Sequence, residues 1–333
     1  MARLNKTVFF DWNELAFSSK KAVDQLRVVF IAAPRQLSTA RLSEIIQTYL
    51  PQGNLLIGLA KDDFVDGFIN QPQFKMLELS DIKLLIDKVN SLVEKHKIYI
   101  LNYFQRDLPY ILERLSFKKT VFVNGSWIYS FHTSKAFYTL ISKKTPYELI
   151  SPFTNETEAI AYEKSLNKLI NRRLARLVPK QSSYSANELM NVAKLVASRS
   201  YDYTYQTGAV LAKASKSNPN RYIMLLSAYN KVVPYQTYAM HYGAARETYL
   251  SPPNDLNHYD TVHAETMLLI EALQAKQSID NASLFINLMP CPICARLLSQ
   301  TGLAEIVYSN DHSNGYGLNL LQLAGKQVRR LIV

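Results

Sequence analysis

The chain has 333 residues, of which 48% are hydrophobic and 20% charged, and a formal charge of +11. Two domains are the natural expectation for this length, with apolar surface enough for two cores. No run approaches the roughly 18 consecutive apolar residues of a membrane span. The stretch after Lys6 is broken by Asp11 and Glu14 and lacks a secretory signal's apolar core and cleavage site, so a cytoplasmic location without membrane partners is expected.

The first half alternates apolar runs with helical patterns. Residues 27–33 read as a buried strand, and Ser38 or Thr39 caps a helix through Tyr49. Residues 54–60 form the next strand. Residues 80–95 carry Ile82, Leu85, Ile86, Val89 and Val93 at helical spacing. Strands at 97–102 and 120–124 flank a helix at 107–115. This alternation predicts a parallel, Rossmann-like α/β domain. It contains no Walker loop and no GxGxxG. Ligands of such a sheet bind at loops after its strands, here near Pro34-Arg35 and Lys61-Asp62-Asp63. Asp62, Asp63 and Asp66 read better as turn and cap residues than as cation ligands.

Residues 156–177 read as a long helix, followed by a polar break at 179–185. The expected boundary is therefore 179/180, giving an N-terminal domain of unstated role (1–179) and a second domain (180–333). The second domain is read as helices at 187–199, 261–273, 291–300 and 318–324. Its strands are read at 208–212, 222–227, 283–287, 305–309 and 327–331.

From Lys180 onward there are 13 Lys+Arg against 10 Asp+Glu, so the first 179 residues carry 25 against 17 and hold most of the basic excess. Lys168, Arg172, Arg173, Arg176 and Lys180 form a basic cluster. It reads as a solvated helix face in preference to a nucleic-acid site, because no aromatic stacking pattern accompanies it.

The two cysteines are Cys291 and Cys294, three positions apart. A secreted disulfide scaffold spreads more cysteines along the chain, so this pair points to metal or redox chemistry. Val262-His263-Ala264-Glu265 and Pro290-Cys291-Pro292-Ile293-Cys294 together suggest a centre for Zn2+. His263, Cys291 and Cys294 give three ligands, leaving one position for water. A helix N-terminus at the cysteine pair favours thiolate. Glu265 is offset from His263 so as to move protons as the catalytic base. A structural zinc site would instead need a fourth ligand from His96, His132, His241, His258 or His312. The combination H-x-E…P-C-x-x-C is the pattern of zinc nucleobase deaminases.

On these residues the region resembles the cytidine/deoxycytidylate deaminase superfamily, closest to the dCMP deaminases, from about Asn187 to Leu331. Ala197-Ser-Arg-Ser200, Asp202, Gln206-Thr-Gly-Ala-Val210, Ala228-Tyr-Asn230 and Ala324-Gly325 also look like family segments. The resemblance implies an α/β/α sandwich with zinc between two helices, and a homo-oligomer. It implies Asn230 on the sugar, Arg199 and Ser200 near the phosphate, and the Ala209 backbone near the base. The chain departs from the pattern at Lys231-Val-Val-Pro234 and at Thr204-Tyr205, which leaves sugar and phosphate recognition open. The Tyr- and His-rich stretch 234–260 reads as a surface loop or as a lid carrying Tyr238, His241 and Arg246.

The expected activity is hydrolysis of dCMP to dUMP and ammonia. Alternatives are a deaminase acting on a base in single-stranded nucleic acid, and a non-catalytic nucleotide sensor. The N-terminal domain could take an allosteric nucleotide.

Overall fold

The computed structural model describes residues 8–18, 20–62, 70–126, 131–218, 220–252, 255, 257–311 and 313–332; Asp63, Asp66 and His312 lie outside them. The chain divides into two compact units, Met1–Tyr162 with Thr237–Tyr259, and Glu163–Gln236 with Asp260–Val333.

The first unit runs β1 (Phe9–Asp11), α1 (Trp12–Leu15), α2 (Lys21–Asp24), β2 (Val29–Ala32), α3 (Thr39–Tyr49), β3 (Leu55–Ala60), α4 (Leu79–Leu92) and β4 (Ile98–Tyr103). It continues with α5 (Leu108–Arg114), β5 (Lys119–Val123), α6 (Lys135–Ser142) and β6 (Tyr147–Ile150). Its six strands pair in the order β1-β4-β3-β2-β5-β6, all parallel, which is the Rossmann-like sheet expected. The central strands β2 and β3 are apolar on both faces because helices cover both. On one side Ile31, Ile57, Ile100 and Val121 pack against Leu42, Ile45, Ile46, Ile82 and Ile86. Ser38 caps α3, its hydroxyl accepting the Arg41 N–H at 3.1 Å. Strands β1 and β6 escaped the sequence reading. Both are short edge strands, largely half-exposed, and so lack a long apolar run.

Helix α7 (Glu156–Leu177) starts in the first unit and ends in the second. The sequence reading puts the boundary at 179/180; the compact units change at Tyr162/Glu163, inside this helix. Ile170 and Leu174 are buried, and the Tyr201 hydroxyl donates to Asn167 Oδ1 at 3.2 Å, so the later turns of α7 belong to the second unit. The polar stretch 179–185 ends in a capping box, Ser185 with Glu188, that starts the next helix.

The second unit continues with α8 (Ala186–Ala197), β7 (Gly208–Ala214), β8 (Tyr222–Tyr229) and β9 (Lys231–Val232). The chain then contributes α9 (Tyr238–Tyr242) and α10 (Ala245–Thr248) to the first unit. It returns as β10 (Thr261–Val262), α11 (Ala264–Gln274), β11 (Ser283–Leu288), α12 (Pro292–Ser299), β12 (Glu305–Asn310), α13 (Tyr316–Leu323) and β13 (Gln327–Arg330). The helix expected from Thr261 starts at Ala264, because Thr261 and Val262 pair antiparallel with Val232 and Lys231.

The main sheet here is mixed, ordered β13-β12-β11-β7-β8, with β7 antiparallel to both neighbours and β11, β12 and β13 parallel. Alternating residues along each strand face opposite layers. Ala209, Leu211, Leu284, Ile286 and Ile306 pack with α11, α12 and α13 through Leu268, Leu298 and Leu321. Val210, Ala212, Phe285 and Val307 pack with α8 through Leu189, Val192 and Val196. The result is a three-layer α/β/α arrangement.

Gly208 sets the distance between α8 and β7. A Cβ there would lie 2.1 Å from the Ala193 carbonyl oxygen and 2.5 Å from the Ala197 nitrogen. Both are helix backbone, which cannot swing aside as a side chain can. Gly208→Ala is expected to destabilise this unit by about 1–3 kcal/mol, the usual cost of overpacking, read as a lower urea midpoint at unchanged m-value.

Candidate metal centre

His263 is the N-cap of α11 and Cys291 the N-cap of α12. The ribbon strand β10 ends immediately before His263, and β11 leads through Met289-Pro290 to Cys291. Pro292 at the first helical position suits the start of α12, since its missing N–H would have no intrahelical partner. The Cys291 sulfur accepts the Cys294 N–H at 3.5 Å, as a serine oxygen would at a cap.

His263 Nδ1 lies 3.5 Å from Cys291 Sγ and 3.4 Å from Cys294 Sγ. All three atoms fall within 4.8 Å of one another. Tetrahedral zinc with Zn–S near 2.3 Å and Zn–N near 2.0 Å would separate sulfur from nitrogen by about 3.5 Å. The donor set and spacing therefore fit this metal. No fourth His, Cys, Asp or Glu joins the group among the described residues, so it has the three-ligand form of a site with an open position. Asp62 belongs to no such group.

Electrostatics within the group favour a cation. Hydrogen bonding from Cys294 stabilises the Cys291 thiolate, with help from His263, and raises the Cys294 thiol in turn. The hydrogen bond with Cys291 holds the His263 imidazole above its ordinary value. A divalent ion held by this group would displace the remaining thiol proton, since cysteine binds metal as thiolate.

Glu265 is the second residue of α11 and is 3% exposed. Burial pushes its carboxyl up to about 7, against the lowering pull of its own backbone N–H and of His263. A neighbouring dication favours the carboxylate, so the metal and Glu265 are coupled. The two-residue offset puts Glu265 in the first helical turn, while His263 remains at the cap.

The other expected site residues lie on or beside the loop between α8 and β7. Asn230, 4% exposed, binds that loop with its whole amide. Its Nδ2 donates to Asp202 Oδ2 at 3.2 Å and to the Tyr205 carbonyl at 2.9 Å, and its Oδ1 accepts the Thr207 N–H at 2.8 Å. Asp202 in turn accepts the N–H groups of Thr204 and Tyr205. Ser200 is wholly buried, its hydroxyl accepting the Asp202 N–H at 3.2 Å. The Arg199 guanidinium sits 4.6 Å over the Tyr229 ring. Ala209 is buried in β7, paired with Ala228 and Ile286. Asn287, absent from the sequence reading, completes the brace. Its Oδ1 accepts the Gly208 N–H at 2.8 Å, and its Nδ2 donates to the Gln206 carbonyl at 2.9 Å. The available signal was a carboxamide following the apolar run Leu284-Phe-Ile286, four residues before Cys291. Residues 237–259, including Tyr238, His241 and Arg246, fold with the first unit.

Residues 183–310 match the family profile described as the cytidine and deoxycytidylate deaminase zinc-binding region. These residues form a deaminase zinc-binding region of that family. A deoxycytidylate deaminase of Schizosaccharomyces pombe is 28% identical over 159 residues, 47% of this chain and 46% of that protein. The deoxycytidylate deaminase of Enterobacteria phage T4 is 36% identical over 47 residues, 14% of this chain and 24% of the phage protein. The chain thus spans less than half the length of these curated relatives. The structure of a dCMP deaminase from cyanophage S-TIM5, in complex with dCMP and dUMP, is 21% identical; the match covers 43% of this chain and 93% of that one at a TM-score of 0.31. No helix among the described residues is long and apolar enough to cross a membrane.

Two outcomes are expected for the deaminase region. Cys291→Ala should lose the zinc that the purified wild type retains after dialysis, measured by metal analysis; equal zinc in both would reject the ligand set. The second concerns Glu265 in chelator-stripped protein. Its folded pKa, about 7, lies above the ordinary carboxyl value of 4.5, so the unfolded chain releases the proton first. Stability therefore falls as pH rises from about 4.5 through 7, by on the order of 3 kcal/mol. Glu265→Gln should remove that fall, seen by comparing denaturant midpoints of the two proteins at pH 5 and pH 8.

Proposed function

We propose that the chain is a zinc-dependent hydrolase that deaminates a free cytosine nucleotide, converting dCMP to dUMP with release of ammonia. The observation that carries this reading is the buried Glu265 in the helical turn next to a His–Cys–Cys group with an open fourth position. A purely structural metal site has no need of a buried carboxylate whose pKa lies near neutrality. The choice of dCMP rests on the curated relatives, which are named deoxycytidylate deaminases.

His263, Cys291 and Cys294 would hold the metal. When bound, zinc supplies Lewis acidity that makes water nucleophilic near neutral pH. Glu265 accepts a proton from the attacking water and passes it to the ring nitrogen beside the amino-bearing carbon. It then takes the second proton, from the hydroxyl now on that carbon, and delivers it to the amino group as the carbon–nitrogen bond breaks, so ammonia leaves and the carbonyl forms. Its burial excludes competing solvent from that transfer. Asn230, Asp202 and Asn287 fix the loop that walls the substrate, and the second lone pair of Asn230 Oδ1 is assigned to a sugar hydroxyl. The Ala209 backbone is assigned to the base. Arg199, oriented by Tyr229, and Ser200 are assigned to the phosphate end.

A second reading, deamination of a base in a polynucleotide, is favoured by one feature. Lys164, Lys168, Arg172 and Arg176 are spaced four apart along α7 and all are exposed, with Lys180 exposed just beyond. Such a row suits a phosphate backbone.

The test offers zinc-loaded protein cytidine, CMP, dCMP, dCTP and single-stranded DNA, with ammonia release as readout. Turnover of dCMP is expected, with Glu265→Ala slower by roughly 10²–10⁴-fold at unchanged zinc content. Turnover of the polynucleotide alone would replace the free-nucleotide reading with the second one.

A further inference from the structure

The all-parallel sheet of the first unit reverses its order between β2 and β5. Open sheets of this kind take ligands outside the carboxyl ends of the strands that flank such a reversal. Arg35 lies there, three residues past β2, and Ser126 lies three residues past β5. The two loops are tied, because the Ser126 hydroxyl accepts the Arg35 N–H at 3.0 Å.

The Arg35 side chain is wholly buried. Its two terminal nitrogens donate to the Met240 sulfur and the Gln73 carbonyl, and its Nε has no partner. None of the ion pairs among the described residues includes it. A guanidinium stays charged inside a protein, and a thioether with one neutral carbonyl compensates a buried charge poorly. The surroundings are shaped to admit it. Gly125, at φ +74°, follows β5, and a Cβ there would lie 2.9 Å from Arg35 Nη1.

A second buried donor stands at the same edge of the sheet. Tyr103 ends β4; it is fully buried and its hydroxyl has no partner. Its ring crosses Gly58 of β3, where a Cβ would meet Tyr103 Cε1 at 2.6 Å and the Ala33 nitrogen at 2.8 Å. The phenol therefore reaches across β3 toward the end of β2. Burial and Asp62 hold it well above the usual phenol range, so it stays a donor.

We propose that the carboxyl end of this sheet, at β2, β4 and β5, is a second binding site, which takes the phosphate group of a small molecule with Arg35 as its anchor and Tyr103 as a second donor. The Arg35 Nε–H and the Tyr103 hydroxyl, buried donors without acceptors, select an acceptor-rich anion over a cation or a neutral sugar, and guanidinium suits phosphate geometrically. The inference is independent of which base the deaminase region acts on.

The probes are inorganic phosphate and pyrophosphate added to the full zinc-loaded chain at constant ionic strength. Calorimetry gives affinity and thermal unfolding gives stabilisation, with chloride as control. Wild type should show saturable binding and a raised midpoint. Arg35→Met should abolish both. Tyr103→Phe keeps the ring volume and should weaken binding roughly tenfold, as expected for one lost hydrogen bond to a charged group. Tyr103→Phe settles the matter if Arg35→Met fails to fold. Absence of saturable binding by either probe, a midpoint rise reproduced by chloride, or wild-type affinity in folded Tyr103→Phe overturns the site.

Discussion

Two sulfur atoms, an imidazole and a carboxylate cannot share a few ångströms of buried space without a means of settling their charge. In this protein the hydrogen bond between Cys291 and Cys294 and the imidazole of His263 do so in part, while burial pushes the Glu265 carboxyl up to about 7. The rest of the second unit serves that crowding. Helices α11 and α12 start at the two ligand-bearing caps, so their N-terminal dipoles favour the negative charge gathered there. The apolar layer formed by Leu268, Leu298 and Leu321 holds both helices against one face of the sheet.

The wall beside this centre depends on carboxamides more than on charges. Asn230, just past β8, and Asn287, on β11, approach the loop before β7 from different sides of the chain and bind its backbone at Tyr205, Gln206, Thr207 and Gly208. Gly208 lets β7 begin against the backbone of α8. Loop placement is thereby coupled to sheet packing. A residue can shape this wall through the backbone that it fixes, even when its own polar atoms are engaged.

The first unit solves a different problem. Its all-parallel sheet is covered on both faces, which leaves the strand ends as the place where polar groups gather. Arg35 and Tyr103 are buried at the carboxyl ends while Asp62 lies nearby in sequence to β3 and accepts the Gln105 N–H at 3.3 Å. The stretch 237–259 adds α9 and α10 to this unit and supplies Met240 against Arg35. A contiguous reading of the chain assigns that stretch to the second domain, since nothing in its composition marks the return.

The metal-ligand pattern was legible in the sequence because it is local chemistry. A histidine, a glutamate two residues on and two cysteines three apart have donor softness and spacing that owe nothing to distant parts of the chain. The long central elements were legible for a similar reason, since continuous apolar runs and 3.6-residue periodicity are carried by neighbours. What only the tertiary structure decided depends on groups far apart in sequence. It includes the short edge strands, the change of unit inside α7 and the return of 237–259 to the first unit. It also includes the engagement of Asn230 with Asp202 and Thr207, and the burial of Arg35 without a carboxylate. Hydrogen bonds and burial at those positions are made across intervals of tens to hundreds of residues, and no local pattern encodes which partner will arrive.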